Sequence, residues 1–88
     1  MVSKQDETFL AIAQAGSVSK AAQGLYLSQP AVSRSLKRLE EDLGAQLFDR
    51  EAVPLRLTQA GEETLRREYE RILRQAEDMR RAMEEEGT

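Results

Sequence analysis

The sequence predicts a mainly α fold: three short helices, a short two-stranded hairpin and one long final helix. Three observations predict it. Ser17, Ser28 and Thr58 stand just before stretches with helical apolar spacing, where a hydroxyl can accept a bond from a first-turn amide. Gly16 and Gly44 stand just after such stretches, where the left-handed conformation that ends a helix favours glycine. Between residues 44 and 58 the helical period gives way to the alternation Leu55-Arg56-Leu57.

The first helix is expected over residues 3–15, with Phe9, Leu10, Ile12 and Ala13 gathered on one side. The second spans 17–25, with Val18, Ala21, Ala22 and Leu25 at i, i+3, i+4 and i+7. Its two alanines let another helix approach closely, and Gly24 weakens its end by about 1 kcal/mol relative to alanine. Tyr26 and Leu27 then make a short turn. Ser28 caps a third helix over 28–43, and Pro30 falls in its first turn, where a missing N–H costs nothing. Val32, Leu36, Leu39 and Leu43, spaced 4, 3 and 4, share one face. Leu47 and Phe48 lead into the hairpin, with Pro54 at its edge or in its turn. In the last helix Leu65, Tyr69, Ile72, Ala76, Met79 and Met83 are spaced 4, 3, 4, 3 and 4, the narrow seam of a coiled coil. An 88-residue chain has little surface of its own to cover that seam, so a partner helix, and with it a homodimer, is expected.

Composition narrows the function classes. With 40% hydrophobic and 33% charged residues, the chain has enough apolar content for a core. No apolar run approaches the ~18 residues of a membrane span, and the N-terminus lacks the apolar core of a signal peptide. Cys and His both number 0, which removes disulfides, a thiol nucleophile, the commonest general base and the commonest metal ligands. No cofactor, no metal and no enzymatic activity are expected, and the cytoplasm is the default location. A carboxylate pair drawn from Glu40, Glu41 and Asp42 is the remaining enzymatic route; against it stands the simpler expectation that these acids are solvated at a helix end. The glycines at 16, 24, 44, 61 and 87 are scattered and make no phosphate-binding loop.

The net charge is −3, yet its distribution is uneven. Residues 17–38 hold Lys20, Arg34, Lys37 and Arg38 and no acid, whereas residues 39–49 hold Glu40, Glu41, Asp42 and Asp49 and no base. A local basic surface, rather than the sum, is what meets phosphate. Helices 17–25 and 28–43, joined by a short turn, are the elements of a helix-turn-helix. With Val32 set at 0°, the apolar side of helix 28–43 centres near ~10°, and Pro30, Arg34, Lys37, Arg38 and Glu41 lie between about 140° and 240°, flanked by Ser33. Cations on that outward side, close to a helix N-terminus with its free amides, suit a duplex. The alternatives are a plain helical bundle and a protein-interaction module whose coiled coil is the working part. An interaction module has no need to clear acids from one helix pair, which favours DNA.

Ala21-Ala22, the run Leu25-Tyr26-Leu27-Ser28-Gln29-Pro30-Ala31-Val32-Ser33-Arg34, then Leu39-Glu40, Leu43-Gly44, Leu47-Phe48-Asp49-Arg50 and Leu55-Arg56-Leu57-Thr58-Gln59-Ala60-Gly61 follow in order. This strongly resembles the N-terminal domain of LysR-type transcriptional regulators, over nearly the whole chain. The resemblance implies a winged helix-turn-helix of three helices and a short two-stranded wing over residues 1–58, followed by a coiled-coil linker helix over 59–88. It implies sequence-specific binding to double-stranded DNA, with helix 28–43 in the major groove. It further implies antiparallel pairing of linker helices in a homodimer, an operator of two half-sites, and a higher oligomer where an effector domain is present. A bacterial, nucleoid-associated protein is expected.

Gln29, Pro30, Ser33 and Arg34 match the family's base-contacting positions, Lys37 lies one turn further along, and Arg50 matches the wing position that meets phosphate. Arg34 can grip guanine O6 and N7 or clamp a phosphate, Gln29 can pair with adenine N6 and N7, and Pro30 and Ser33 can touch a thymine methyl. Lys37 and Arg38 are expected on phosphate or in solvent, with Lys20 and Arg56 as further candidates. Other roles stand open: Gln29 as a cap for its own helix, Arg34 paired with Glu41, and Arg50 paired with Asp49 or Glu51. Two departures matter. The wing tip reads Glu51-Ala52-Val53-Pro54, with one acid and no base, where the family is usually basic or glycine-rich. Family members also continue into a larger effector-binding domain of two α/β lobes. This sequence stops at Glu84-Glu85-Glu86-Gly87-Thr88, as part of a longer regulator or as a stand-alone form.

Overall fold

Four hydroxyls start four helices. In the computed structural model, which describes residues 3–87, Ser3, Ser17, Ser28 and Thr58 are the N-caps. Their oxygens accept from the backbone N–H of Asp6, Lys20, Ala31 and Gly61. The helices that follow are α1 (Lys4–Ala15), α2 (Val18–Leu25), α3 (Gln29–Leu43) and α4 (Gln59–Glu86). Strands β1 (Phe48–Asp49) and β2 (Arg56–Leu57) lie between α3 and α4. The architecture is the mainly helical winged helix-turn-helix with a long final helix.

Gly16 and Gly44 end α1 and α3 at φ 69° and 70°, as expected. The end of α2 differs. There the left-handed residue is Tyr26, at φ 56°, and Gly24 sits inside the helix with open space around it. Two bonds close this turn, from the Tyr26 N–H to the Gln23 carbonyl and from the Leu27 N–H to the Ala22 carbonyl. They hold a non-glycine residue where the left-handed region costs roughly 1–2 kcal/mol. The Tyr26 side chain is 95% exposed and contributes no burial in return.

The core is formed by Phe9, Ile12, Ala21, Ala22, Val32, Leu36, Leu39, Leu47 and Phe48. Burial of each large apolar side chain among them stabilises the fold by about 1.5–3 kcal/mol. Helices α1, α2 and α3 pack on one another, and β1 joins them through Phe48, whose ring lies 5.6 Å from that of Phe9 at 47°. Leu43, expected on the same face as Val32, is 44% exposed and borders a groove with Leu39, Thr64 and Arg71.

The wing is a short antiparallel ladder in which Phe48 pairs with Leu57 and Asp49 with Arg56. Alternation puts Phe48 and Leu57 toward the core and Asp49 and Arg56 outward. The Leu55 N–H donates to the Gly16 carbonyl at 2.9 Å, and the Val53–Pro54 peptide is cis. Gly16 therefore has a second role: a Cβ there would stand 3.0 Å from the Pro54 Cβ.

Helix α4 leaves the wing across a tight contact. Thr58 donates its N–H to the Leu47 carbonyl at 3.0 Å and its hydroxyl to the Gln46 carbonyl at 2.6 Å. One turn later a Cβ at Gly61 would lie 2.1 Å from the Leu47 carbonyl oxygen. Ala60 and Leu65 pack on the core, and Gly61, Thr64 and Glu68 are buried. Leu65, expected in the partner-facing seam, thus serves the chain's own core, because the first turns of α4 still lie on the head. Every residue from 76 to 87 is exposed. Of the remaining seam, Tyr69, Met79 and Met83 are exposed large hydrophobics, joined by Leu73, which the spacing argument passed over.

A polar cluster joins α4 back to α1. One nitrogen of Arg71, Nη2, donates to Asp6 Oδ2 at 2.8 Å and to Glu68 Oε2. Burial and the neighbouring Asp6 raise the Glu68 carboxyl above its ordinary value of 4.5, against the pull of Arg71. Burial also works to raise Asp6, but bonds from Ser3 and Arg71 outweigh it and bring that carboxyl below 3.8.

Two outcomes are expected. Gly61→Ala forces α4 off the Leu47 backbone and lowers stability by at least about 1–3 kcal/mol in a denaturant titration; an unchanged midpoint contradicts the close approach. The second concerns pH. Glu68 keeps its proton in the folded chain where the unfolded chain has released it, so its contribution is full below pH 4.5 and is lost as pH rises through the raised folded value. Asp6 runs the other way, contributing above 3.8 and losing that as pH falls through its lowered value. Glu68→Gln removes the first loss, and above 3.8 the Asp6 contribution is already in place. Its melting temperature relative to the parent chain therefore climbs as pH rises from about 4 to 6, and a pH-independent offset would show that Glu68 titrates normally.

Candidate nucleic-acid interface

The side of α3 that faces outward is set by the side that faces in. Val32, Leu36 and Leu39 are buried, and helical periodicity then sends Pro30, Arg34, Lys37 and Arg38 to the opposite side, with Gln29 and Ser33 beside them. All six are exposed. The first turn of α3 contains no acid. Ser28, not Gln29, caps the helix: the Ala31 N–H reaches the Ser28 hydroxyl at 3.2 Å. The Gln29 side chain is left at the exposed helix start. The Arg34–Glu41 pair is not formed, and no ion pair holds Arg34 among the described residues.

The wing is fastened to α3 by one carboxylate. Glu40 is buried; its Oε2 accepts the Leu47 N–H at 2.8 Å and its Oε1 accepts Arg50 Nη2 at 2.6 Å. This corrects the expectation that Glu40, with Glu41 and Asp42, is solvated. Glu41 and Asp42 are exposed, but Glu40 stands four residues after Leu36 and so falls on the flank of the buried face. There it meets an amide that the wing's short ladder leaves without a strand partner. The expected partners of Arg50 are corrected as well. It binds neither Asp49 nor Glu51, and Asp49 Oδ1 instead accepts the Glu51 N–H at 3.0 Å. The Arg50 side chain remains 48% exposed, so part of the guanidinium still faces outward.

Arg50 lies where two hollows meet. Ser33, Lys37 and Arg50 line one with Gln46 and Glu41; Gln29 and Arg50 line the other with Val53 and Pro54. The fold thus brings Gln29, Ser33, Lys37 and Arg50 around one surface, with Pro30 and Arg34 exposed on the same helix face. Lys20, Arg38 and Arg56 are exposed but line neither hollow, and Arg56 sits opposite Asp49 in the ladder. The charges are mixed at the edges. Glu41 borders the α3 side, and Glu51 stands in the wing turn beside Val53, which is 96% exposed. Sequence reasoning missed Glu40 as the group that orients Arg50. Its i+4 spacing from Leu36 was the available signal.

Residues 3–62 match the profile described as bacterial regulatory helix-turn-helix protein, lysR family. An uncharacterized HTH-type transcriptional regulator from the ibpB-leuC intergenic region of Azotobacter vinelandii is 49% identical over 75 residues, which is 85% of this chain and 51% of that protein. The chain therefore spans about half the length of that relative. Among solved structures, the BenM DBD in its catB site 1 DNA complex superposes with a TM-score of 0.73 at 33% identity, covering 83% of this chain and 80% of that one. The CbnR DBD in complex with DNA superposes with a TM-score of 0.69 at 38% identity, covering 90% and 94%. The profile match runs through well over half of the sequence and through every element that builds the surface described above, and the chain belongs to the lysR family of bacterial regulatory helix-turn-helix proteins.

Proposed function

We propose that this chain binds double-stranded DNA with sequence preference, as the DNA-binding part of a transcriptional regulator, with α3 in the major groove. The observation that carries the proposal is the exposed face of α3. Gln29, Pro30, Ser33 and Arg34 stand in the first two turns of a helix with no acid in its first turn, and Lys37 follows about one turn further along. The DNA complexes of the similar BenM and CbnR domains support it.

Roles follow from chemistry and position. Arg34 grips guanine O6 and N7, Gln29 pairs with adenine, and Pro30 and Ser33 meet a thymine methyl. Lys37, Arg38, Lys20 and Arg56 neutralise phosphates, which supplies affinity and salt dependence but no sequence information. Arg50 meets phosphate with one edge of its guanidinium held by Glu40, so less freedom is lost on binding. The Glu51 carboxylate repels phosphate and makes the wing tip the weaker contact.

Residues 1–58 form the DNA-binding head in this proposal, and residues 59–88 pair as antiparallel helices in a homodimer. Tyr69, Ile72, Ala76, Met79 and Met83 form the seam, with Leu73 added by its exposure. Two heads then read two half-sites separated by about one helical turn or a multiple of it, ~34 Å.

Selection of bound fragments from a random duplex library provides the reference sequence. Against it, Arg34→Ala loses about 1–3 kcal/mol at one base pair and little on random duplex, as a filter-binding titration would show. Lys37→Ala weakens both duplexes alike and lowers the salt slope by about one ion. Equal losses on both duplexes for Arg34→Ala would place that residue on phosphate. Met79→Asp puts a charge in the seam and yields monomers in sedimentation at micromolar concentration; a parent chain already monomeric there would refute the homodimer.

A further inference from the structure

Among the described residues, α4 packs on the core through Ala60 and Leu65 in its first two turns, and its ion pair to α1 is made further along, by Arg71. A single Nη2 holds Asp6 Oδ2 in the first turn of α1 and Glu68 Oε2 on α4 itself. Both carboxylates are nearly covered, at 13% and 10% side-chain exposure. The same Asp6 Oδ2 also accepts the Ser3 hydroxyl at 2.7 Å and the Ser3 N–H at 3.3 Å. The chain of bonds thus runs from the backbone at the start of α1, through one guanidinium, to the flank of α4. Past this point the helix continues for 15 residues to Glu86, about 22 Å at 1.5 Å per residue, and every described residue from 76 onward is exposed. Apolar packing at Ala60, Gly61 and Leu65 fixes where α4 begins, and those contacts cluster within its first two turns. A rod gripped only near its base is free to tilt, and a second grip three turns along is what fixes its direction.

We propose that Arg71 is the positioning residue that sets the angle between the helix-turn-helix head and the α4 rod, and through that angle the separation of the two recognition helices in the dimer. This rests on the homodimer proposed above. A tilt of ~10° about the base of α4 moves the far end of this 28-residue helix, about 42 Å long, by about 7 Å, roughly two base-pair rises. The cluster thereby takes part in choosing half-site spacing without touching DNA.

The absence of cysteine makes the test direct. A single nitroxide on Gln14→Cys, at an exposed position of α1, reports the head-to-head distance in the dimer by pulsed electron resonance. The parent is expected to give one narrow distance. Arg71→Met, still dimeric in sedimentation and still melting cooperatively, is expected to give a distribution broadened or shifted by about 7 Å, the lever-arm displacement above. Arg71→Lys, which keeps a cation at the joint, is expected to fall between them. A distribution unchanged in Arg71→Met overturns the proposal. If Arg71→Met does not fold, Asp6→Asn and Glu68→Gln are measured instead by the same criterion. If sedimentation shows the parent to be monomeric, the dimer has failed rather than the tether. The intramolecular pair Gln14→Cys and Glu77→Cys then decides within one chain, and an unchanged width on replacing Arg71 again refutes it.

Discussion

The carboxylate of Glu40 is the contact on which the head's outer half depends. It is buried, and a buried carboxylate without partners is expensive, so its two bonds are obligatory rather than decorative. One goes to the Leu47 amide and fixes where the chain turns into the wing. The other goes to Arg50 and fixes a cation beside α3. The same Leu47 residue then receives Thr58 at its carbonyl and lies under Gly61. Recognition helix, wing and the start of α4 therefore converge on one stretch of backbone. Removal of the carboxylate leaves an amide and a guanidinium without their acceptor and loosens three elements together. Replacement of an exposed acid such as Glu41 has no such reach.

Most of the fold was legible in the sequence, because its signals are local. A hydroxyl before a periodic stretch needs only the next three residues to form a cap; the three expected at Ser17, Ser28 and Thr58 form, and Ser3 supplies a fourth that was not expected. Glycine at 16 and 44 likewise acts within its own turn. The misreadings share a different origin. Tyr26 in the left-handed region is decided by how α2 meets α3, which propensity cannot see. Glu40 looked solvated because it sits among other acids; only its phase relative to Leu36 distinguishes it from Glu41. Leu65 was assigned to a partner because the heptad pattern does not show where the head ends. The Asp6–Arg71 pair joins residues 65 apart, and no local pattern announces such a contact. On the candidate surface, the residue types and their helical face were legible. The engagement of Arg50 with Glu40 required three dimensions.

Charge segregation gives the small head a usable surface despite a net charge of −3. The acids that would oppose phosphate are placed past the first turns of α3, in the wing turn, or along α4. Arg71 and Arg50 are each already committed to carboxylates, whereas Arg34 is not. The basic residues thus divide into one spent within the protein, Arg71, one shared between Glu40 and the outer surface, Arg50, and those such as Arg34 left for a ligand. The count of thirteen Lys and Arg overstates what a polyanion meets.

The exposure of α4 from residue 76 onward has a consequence for how this protein behaves on dilution. Isolated helices shorter than about 12–15 residues are marginal in water, and the outer part of α4 receives no packing from the head. Its helical order must then come from whatever lies against it. If that cover is a second chain, helicity and association are one equilibrium, and the far-UV signal of the rod falls with protein concentration while that of the head stays constant. Backbone amides of the outer α4 would likewise exchange with solvent at a rate set by concentration, and those of α1 to α3 at a rate set by the head's own stability. One continuous helix thereby carries two separate stabilities, meeting near Arg71.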